Sequence, residues 1–228
     1  MSQACINAYL KLEKLFSIRG YKLYLVGGTV RDYLLQRPLT DMDLATSATP
    51  KEMISFLEHV DTSFIKYGNV KCSYEGIKFE ITTLRVESNY KDLRHPSEIQ
   101  YVKDIKLDYV RRDFTINGLY MDAYFKIYDF CHGEQDIKDK IIRFIGKPKK
   151  RVLEDPLRIL RAIRFALTFG FSFDHKTEKV MKKYAYLLKE ISKDKIRMEL
   201  MKFNGLDKSM RDHLFTDFGI TTYIDVIE

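Results

Sequence analysis

Cysteine is scarce in this chain, and the three that occur, Cys5, Cys72 and Cys131, stand far apart without paired spacing. That argues against a disulfide framework or a zinc site, and it suits a reducing cytosol. Long apolar runs are lacking as well: no stretch approaches the ~18 uncharged residues of a membrane span. Lys11, Glu13 and Lys14 interrupt the apolar start of the chain, so the N-terminus does not read as a secretory signal. Internal repeats and low-complexity segments are missing too.

What is present is an ordinary folded composition. The chain has 228 residues, 45% hydrophobic and 13% aromatic, enough for one larger domain with a helical extension or for two small ones. Basic residues outnumber acidic ones, 39 to 32, for a net charge of +7. Such a surplus fits a polyanionic partner, because each Lys or Arg placed on a phosphate releases counterions; it equally serves solubility. The surplus is concentrated between Lys176 and Lys202, where nine basic and four acidic residues share a helical stretch. A basic helical face of this kind meets a nucleic-acid backbone or simply water.

The patterns along the chain divide it. Cys5, Tyr9, Leu12 and Phe16 recur at helical spacing, which predicts a helix over 3–17. Residues 21–26 read as a buried strand ending at two glycines, 29–36 as a helix stopped by Pro38, and 39–45 as a second strand. Val70, Cys72 and Tyr74, then Ile77, Phe79 and Ile81, alternate about Glu75-Gly76: a β-hairpin. Residues 85–100 read as a loop, and a further strand is expected near 119–128. From about residue 150 the character is helical. Asp155-Pro156 is a helix start with Asp155 as cap, Gly170 is its stop, and helices follow over 174–190 and 193–203.

The charged signatures carry the chemistry. On a strand, Asp41 and Asp43 point to the same face with Cα atoms roughly 6.5–7 Å apart. Two carboxylates so placed repel unless cations lie between them, and hard divalent ions such as Mg²⁺ accept oxygen ligands there. An isolated pair of this kind is most often a polar turn. Here Gly27-Gly28 precede it, between a strand and a helix, where backbone N–H groups can approach phosphate closely. Arg31 follows within the helix, able to pair with a triphosphate oxygen. Glu80 sits in the second hairpin strand, either completing the metal site from a neighbouring strand or facing solvent. In Arg111-Arg112-Asp113, Asp113 can accept from a ribose hydroxyl and Arg112 can reach phosphate or base. Glu154-Asp155 is followed by Arg158, Arg161 and Arg164, three apart on a helix. A carboxylate beside a guanidinium fork matches the base edges of cytosine or adenine, while Asp155 is also needed as a cap.

With these residues in this order, the chain resembles the class II tRNA nucleotidyltransferases, a family of CCA-adding enzymes and bacterial poly(A) polymerases within the polymerase β superfamily. Residues 24–32 with Asp41-Met42-Asp43 resemble its metal motif, residues 79–85 the strand of its third carboxylate, residues 111–117 its ribose motif, and residues 154–158 its base-reading motif. The resemblance implies an α+β fold: a polymerase β-like head, a small mixed β-sheet with helices, over 1–148, and an all-helical neck over 149–228, with body and tail domains absent. It implies catalytic Asp41, Asp43 and Glu80, with metal on Asp41 and Asp43. Nucleotide binding would fall to Gly27, Gly28, Arg31, Arg112, Asp113, Asp155, Arg158, Arg161 and Arg164. The implied reaction is Mg²⁺-dependent, template-independent addition of CCA to tRNA 3′ ends from CTP and ATP, in the cytoplasm and without a membrane. Residues 85–96 resemble the loop that the family associates with the switch from C to A addition. Alternatives are poly(A) addition, a CC-only or A-only enzyme, or an inactive RNA-binding or nucleotide-binding remnant. An antibiotic-modifying nucleotidyltransferase shares the glycine and aspartate logic but does not need the Arg112-Asp113 and Asp155–Arg158 clusters.

Overall fold

A computed structural model describes residues 1–39, 42–90 and 96–224. The fold is α+β and divides into two compact units. The first comprises Met1–Ser88, Glu98–Arg112 and Ile116–Ile137, and the second Asn89–Ser97, Asp113–Thr115 and Lys138–Glu228.

In the first unit, helix α1 (Gln3–Ser17) starts at a Ser2 cap, whose hydroxyl accepts from the Cys5 amide. It buries Cys5, Ala8, Tyr9, Leu12 and Phe16, the face that the spacing predicts. Strand β1 (Leu23–Val26), helix α2 (Gly28–Leu34) and strand β2 (Met42–Thr46) follow. Next come helix α3 (Pro50–Ile54), closed by a Thr49–Glu52 capping box, and the hairpin of β3 (Asn69–Tyr74) and β4 (Ile77–Thr83). Its turn residues Glu75 and Gly76 both have positive φ, 51° and 75°, the twist that a two-residue hairpin needs.

Residues 85–90 and 96–100, read from the sequence as loop, are strand, while residues 91–95 lie outside the described residues. Strands β5 (Arg85–Tyr90) and β6 (Pro96–Tyr101) pair as a two-stranded sheet. The polar sequence conceals this hairpin because its inward residues are charged. Arg85 and Glu87 are largely buried yet pair with each other at 2.7 Å, so no apolar alternation marks the strand. Helix α4 (Ile105–Asp108) comes next. The single strand expected near 119–128 is instead a short hairpin, β7 (Tyr120–Met121) and β8 (Ile127–Tyr128), turned by Asp122, whose carboxylate accepts from the Tyr124 and Lys126 amides. Helix α5 (Gly133–Lys138) spans the end of this unit.

Six strands form one mixed sheet in the order β3-β4-β2-β1-β7-β8. Strand β2 runs antiparallel to β1 and parallel to β4. Leu25, Met42, Leu44, Val70, Phe79 and Ile81 are almost wholly buried along it.

In the second unit, strand β9 (Ile141–Ile142) pairs with β10 (Ser172–Phe173). Helix α6 (Pro148–Glu154), absent from the sequence reading, leads into α7 (Leu157–Phe169). Leu157, Leu160 and Ile163 of α7 are buried, and Gly170 ends it in the left-handed conformation, φ 67°. Helix α8 (His175–Tyr184) continues as a 3-10 turn to Glu190, and α9 (Lys193–Leu200) as another to Phe203. Helices α10 (Lys208–Asp217) and α11 (Thr221–Ile224) complete the described chain. Among the described residues, no helix is long and apolar enough to cross a membrane.

Candidate functional site

The first unit gathers charge around the glycine pair. Gly27 leaves β1 with φ 59° and ψ −125°, a backbone that L-residues rarely adopt and that costs on the order of 1–3 kcal/mol. A Cβ on Gly27 would lie 3.3 Å from Arg112 Nη1 and 3.8 Å from Asp43 Oδ2. A Cβ on Gly28 would lie 3.3 Å from Asp43 Oδ2 and 3.4 Å from Arg31 Nη2. Two missing side chains thus let one carboxylate and two guanidinium groups close on the same turn of backbone. The Asp43 amide donates to Thr29 Oγ1 at 2.7 Å, fastening β2 to α2 at this point.

Asp43 is half-buried and stands in register with Glu80 across the parallel β2–β4 pair, so both side chains leave the same face of the sheet. Glu80 accepts from Asn69 Nδ2 at 2.8 Å and lies 3.4 Å from Lys71 Nζ, with its side chain 44% exposed. Asp41 lies outside the described residues. No group of three or more His, Cys, Asp or Glu side chains arranged to hold a metal ion occurs among the described residues. The donor chemistry of Asp43 and Glu80 nevertheless fits a hard divalent cation: carboxylate oxygens only, on adjacent strands.

Arg31 is buried. Its guanidinium grips Asp32 with two bonds of 2.9 Å and gives Nη1 to Asn117 Oδ1 at 2.6 Å. Asp32 and Asn117 stand inside the quoted motifs, but nothing in their spacing signals that they meet. Arg112 rests on a more elaborate support. Asp108, fully buried, accepts from Arg112 Nε and Nη2 at 3.3 and 3.2 Å and from the Tyr120 hydroxyl at 2.5 Å. Tyr120 Oη in turn accepts from Arg112 Nε at 2.9 Å, and the guanidinium sits 4.9 Å from the Tyr120 ring centre. Burial alone would raise the Asp108 carboxyl pKa, but Arg111, Arg112, the Tyr120 hydroxyl and the Arg85 amide together hold it well below the usual carboxylate range. Arg112 is raised in turn: burial pulls it down, and Tyr120 and Asp108 more than offset this. Asp108 and Tyr120 escaped the sequence reading because one reads as a helix residue and the other as a core aromatic.

In the second unit, Asp113 Oδ2 accepts Arg161 Nε and Nη2 at 2.9 and 2.6 Å, and Oδ1 accepts the Phe114 amide at 2.8 Å. Burial lowers the Arg161 pKa, but the Asp113 charge raises it further, for a net increase. Arg164 Nε bonds Glu199 Oε1 at 2.9 Å, and Lys202 closes on the other oxygen at 2.8 Å. Glu199 is pushed up by burial and pulled down more strongly by its Lys202 bond and the charges of Arg161 and Arg164.

Asp155 accepts the Leu157 amide at 3.0 Å but ends α6, and Pro156 rather than Asp155 stands at the N-cap of α7. Arg158, buried, directs Nη1 to Glu154 Oε2 and to the Arg151 carbonyl, both at 2.9 Å, and Arg151 also binds Glu154. These side-chain bonds of Arg158 to described residues both leave from Nη1. Glu154 is thus the anchoring carboxylate for Arg158, a role the sequence leaves open between two adjacent acids.

The chain is similar to several known proteins. The CCA-adding enzyme of Lactobacillus helveticus (strain DPC 4571) is 45% identical over 184 residues, covering 80% of this chain and 46% of that protein. The CCA-adding enzyme of Staphylococcus epidermidis (strain ATCC 12228 / FDA PCI 1200) is 40% identical over 202 residues, covering 89% and 50%. The chain spans about half the length of the curated relatives it matches. Among solved structures, the Bacillus stearothermophilus CCA-adding enzyme in complex with CTP matches at a TM-score of 0.89 and 33% identity, covering 98% of this chain and 54% of its own. The family model described as the poly A polymerase head domain matches residues 23–143, just over half of the sequence, and the chain belongs to that family.

Proposed function

We propose that the chain carries out template-independent nucleotidyl transfer, adding CCA to tRNA 3′ ends from CTP and ATP. The observation that carries this reading is the meeting of Asp43, Arg31 and Arg112 at the Gly27-Gly28 turn. Similarity to CCA-adding enzymes, one solved in complex with CTP, supports it.

In this reading the terminal ribose 3′-oxygen of the RNA attacks the α-phosphorus of CTP or ATP. A new P–O bond forms, the bond to the β-phosphate oxygen breaks, and pyrophosphate leaves. Gly27 and Gly28 let the triphosphate lie against backbone N–H groups, and Arg31 and Arg112 bring positive charge to its oxygens. Asp41 and Asp43 would hold divalent metal, Mg²⁺ in this reading, with Glu80 supporting from β4; bound there, it would supply charge neutralisation at the reacting phosphate and the departing pyrophosphate.

In the second unit, Asp113 would accept from the ribose hydroxyl, oriented by Arg161. Asp155 and Arg158 would discriminate bases: Glu154 clamps Arg158 by one nitrogen, leaving the Nη2 edge of the fork for a base, with Arg164 bracing α7 against α9 through Glu199. The exposed Lys176, Lys179 and Lys183 of α8 suit an RNA backbone. A cytoplasmic location belongs to the same reading, tRNA being its substrate.

Product analysis tests the assignment: labelled CTP and ATP are supplied with tRNA lacking CCA, with tRNA ending in CC, and with unstructured RNA. CCA addition yields products extended by three nucleotides on the first substrate and by one on the second. Long ATP-only tails on unstructured RNA would establish poly(A) addition in its place.

A further inference from the structure

The carboxylate of Asp108 is fully buried in the first unit and accepts from four residues around it. Oδ1 takes the Arg85 amide at 2.9 Å and Arg111 Nε at 2.7 Å. Oδ2 takes the Tyr120 hydroxyl and two nitrogens of Arg112. Tyr120, itself fully buried on β7, accepts from Arg112 Nε while donating to Asp108. The Arg112 guanidinium is therefore held along its Nε and Nη2 side, and Nη1 is the nitrogen that a Cβ on Gly27 would approach to 3.3 Å.

A buried carboxylate bonded this fully is costly to assemble, and removing one partner leaves charge uncompensated. A fork of planar donors contributes most to anion binding when its orientation is set before the ligand arrives.

We propose that Asp108 and Tyr120 are positioning residues for Arg112: they set its guanidinium plane so that Nη1 faces the Gly27-Gly28 turn and the triphosphate or ribose oxygens bound there. The proposal rests on the nucleotide-binding reading of that turn. Because the same carboxylate takes the Arg85 amide and Arg111, which lies 3.5 Å from Glu87, it also ties the root of the β5–β6 hairpin to the group that aims Arg112.

Tyr120→Phe tests this most cleanly, since it keeps the ring beside the guanidinium and removes only the hydroxyl. CTP affinity in the presence of Mg²⁺ is measured by titration calorimetry for wild type, Tyr120→Phe, Arg112→Met and the double variant. We expect Tyr120→Phe to weaken CTP binding roughly tenfold, the scale of one charge-assisted hydrogen bond. The double variant should bind CTP no worse than Arg112→Met alone, because nothing remains to be positioned. A general loss of packing would instead weaken binding equally in both backgrounds. That result, or undiminished affinity in Tyr120→Phe, overturns the proposal. Asp108→Asn, run through the same cycle, replaces Tyr120→Phe should that variant fail to fold. Wild-type protein that binds no CTP overturns the nucleotide-binding reading and the positioning role together, whereas CTP binding with an additive cycle removes only the latter.

Discussion

At Gly27 the structure favours a residue without a side chain twice over: φ is positive, and an added Cβ would press on Arg112 Nη1 at 3.3 Å. Gly27→Ala should lower stability by about 1–3 kcal/mol through backbone strain and should also displace Arg112, so that CTP binding weakens beyond what the melting shift explains. Gly28 differs, because it begins α2 with helical φ and only the ends of Asp43 and Arg31 stand in the way. Its alanine variant should fold normally and lose activity alone; a combined thermal melt and incorporation assay separates the two. Asp43→Ala, and Asp41→Ala by the same reasoning, should abolish labelled CTP incorporation, a loss of at least about 10³-fold, with little change in melting. Asp108 sets a pH dependence. Its pKa is lower in the folded protein than in the unfolded chain, so its contribution is complete above the ordinary carboxylate value of about 4 and drains away as pH falls toward the folded value. Melting followed from pH 7 to pH 2 should therefore show an acid limb that Asp108→Asn flattens, at the cost of lower stability at pH 7.

Among the elements, the β3–β4 hairpin carries an unfavourable residue in a demanding turn. Glu75 adopts φ 51° in a position that favours Asn or Gly, and its offsetting ion pair with Lys11 is about half exposed at both ends. Exposed pairs contribute on the order of 0.2–1 kcal/mol, less than the left-handed backbone costs. Glu75→Asn should thus raise stability by about 0.5 kcal/mol, visible as a higher melting temperature. Elements were legible where their inward faces are apolar. Helices α1 and α7 and the β3–β4 hairpin follow the period of their hydrophobic residues, and Gly170 and Gly76 mark their ends. The β5–β6 hairpin was illegible for the opposite reason: Arg85, Glu87 and Asp108 compose its anchoring contacts from charge, which alternation of hydrophobicity does not register. The short β7–β8 hairpin and helix α6 are too brief for any period to declare them.

For the whole molecule, the surplus of positive charge predicts a salt-dependent partner. With lysines exposed along α8, tRNA affinity should fall at least about tenfold between 50 and 200 mM salt. Lys179→Glu with Lys183→Glu should weaken binding further and reduce the slope of log affinity against log salt concentration. An affinity indifferent to salt would remove the electrostatic account of RNA binding.

The candidate site divides between chain and fold by the range of the forces involved. The glycine pair, the aspartates two apart and the arginines three apart on α7 are local statements, because strand and helix periods set which residues share a face. Sequence alone was therefore enough to mark Asp43, Arg31, Arg112, Asp113 and Arg158 as candidates for one chemistry and to indicate the family. Which acid holds which arginine was decided only by tertiary packing. Asp108 and Tyr120 grip Arg112, Asn117 reaches Arg31 from 86 residues away, Glu154 rather than Asp155 clamps Arg158, and Glu199 on α9 binds Arg164. Burial makes each guanidinium take the carboxylate or oxygen that the fold brings within reach, and distance along the chain says nothing about that reach.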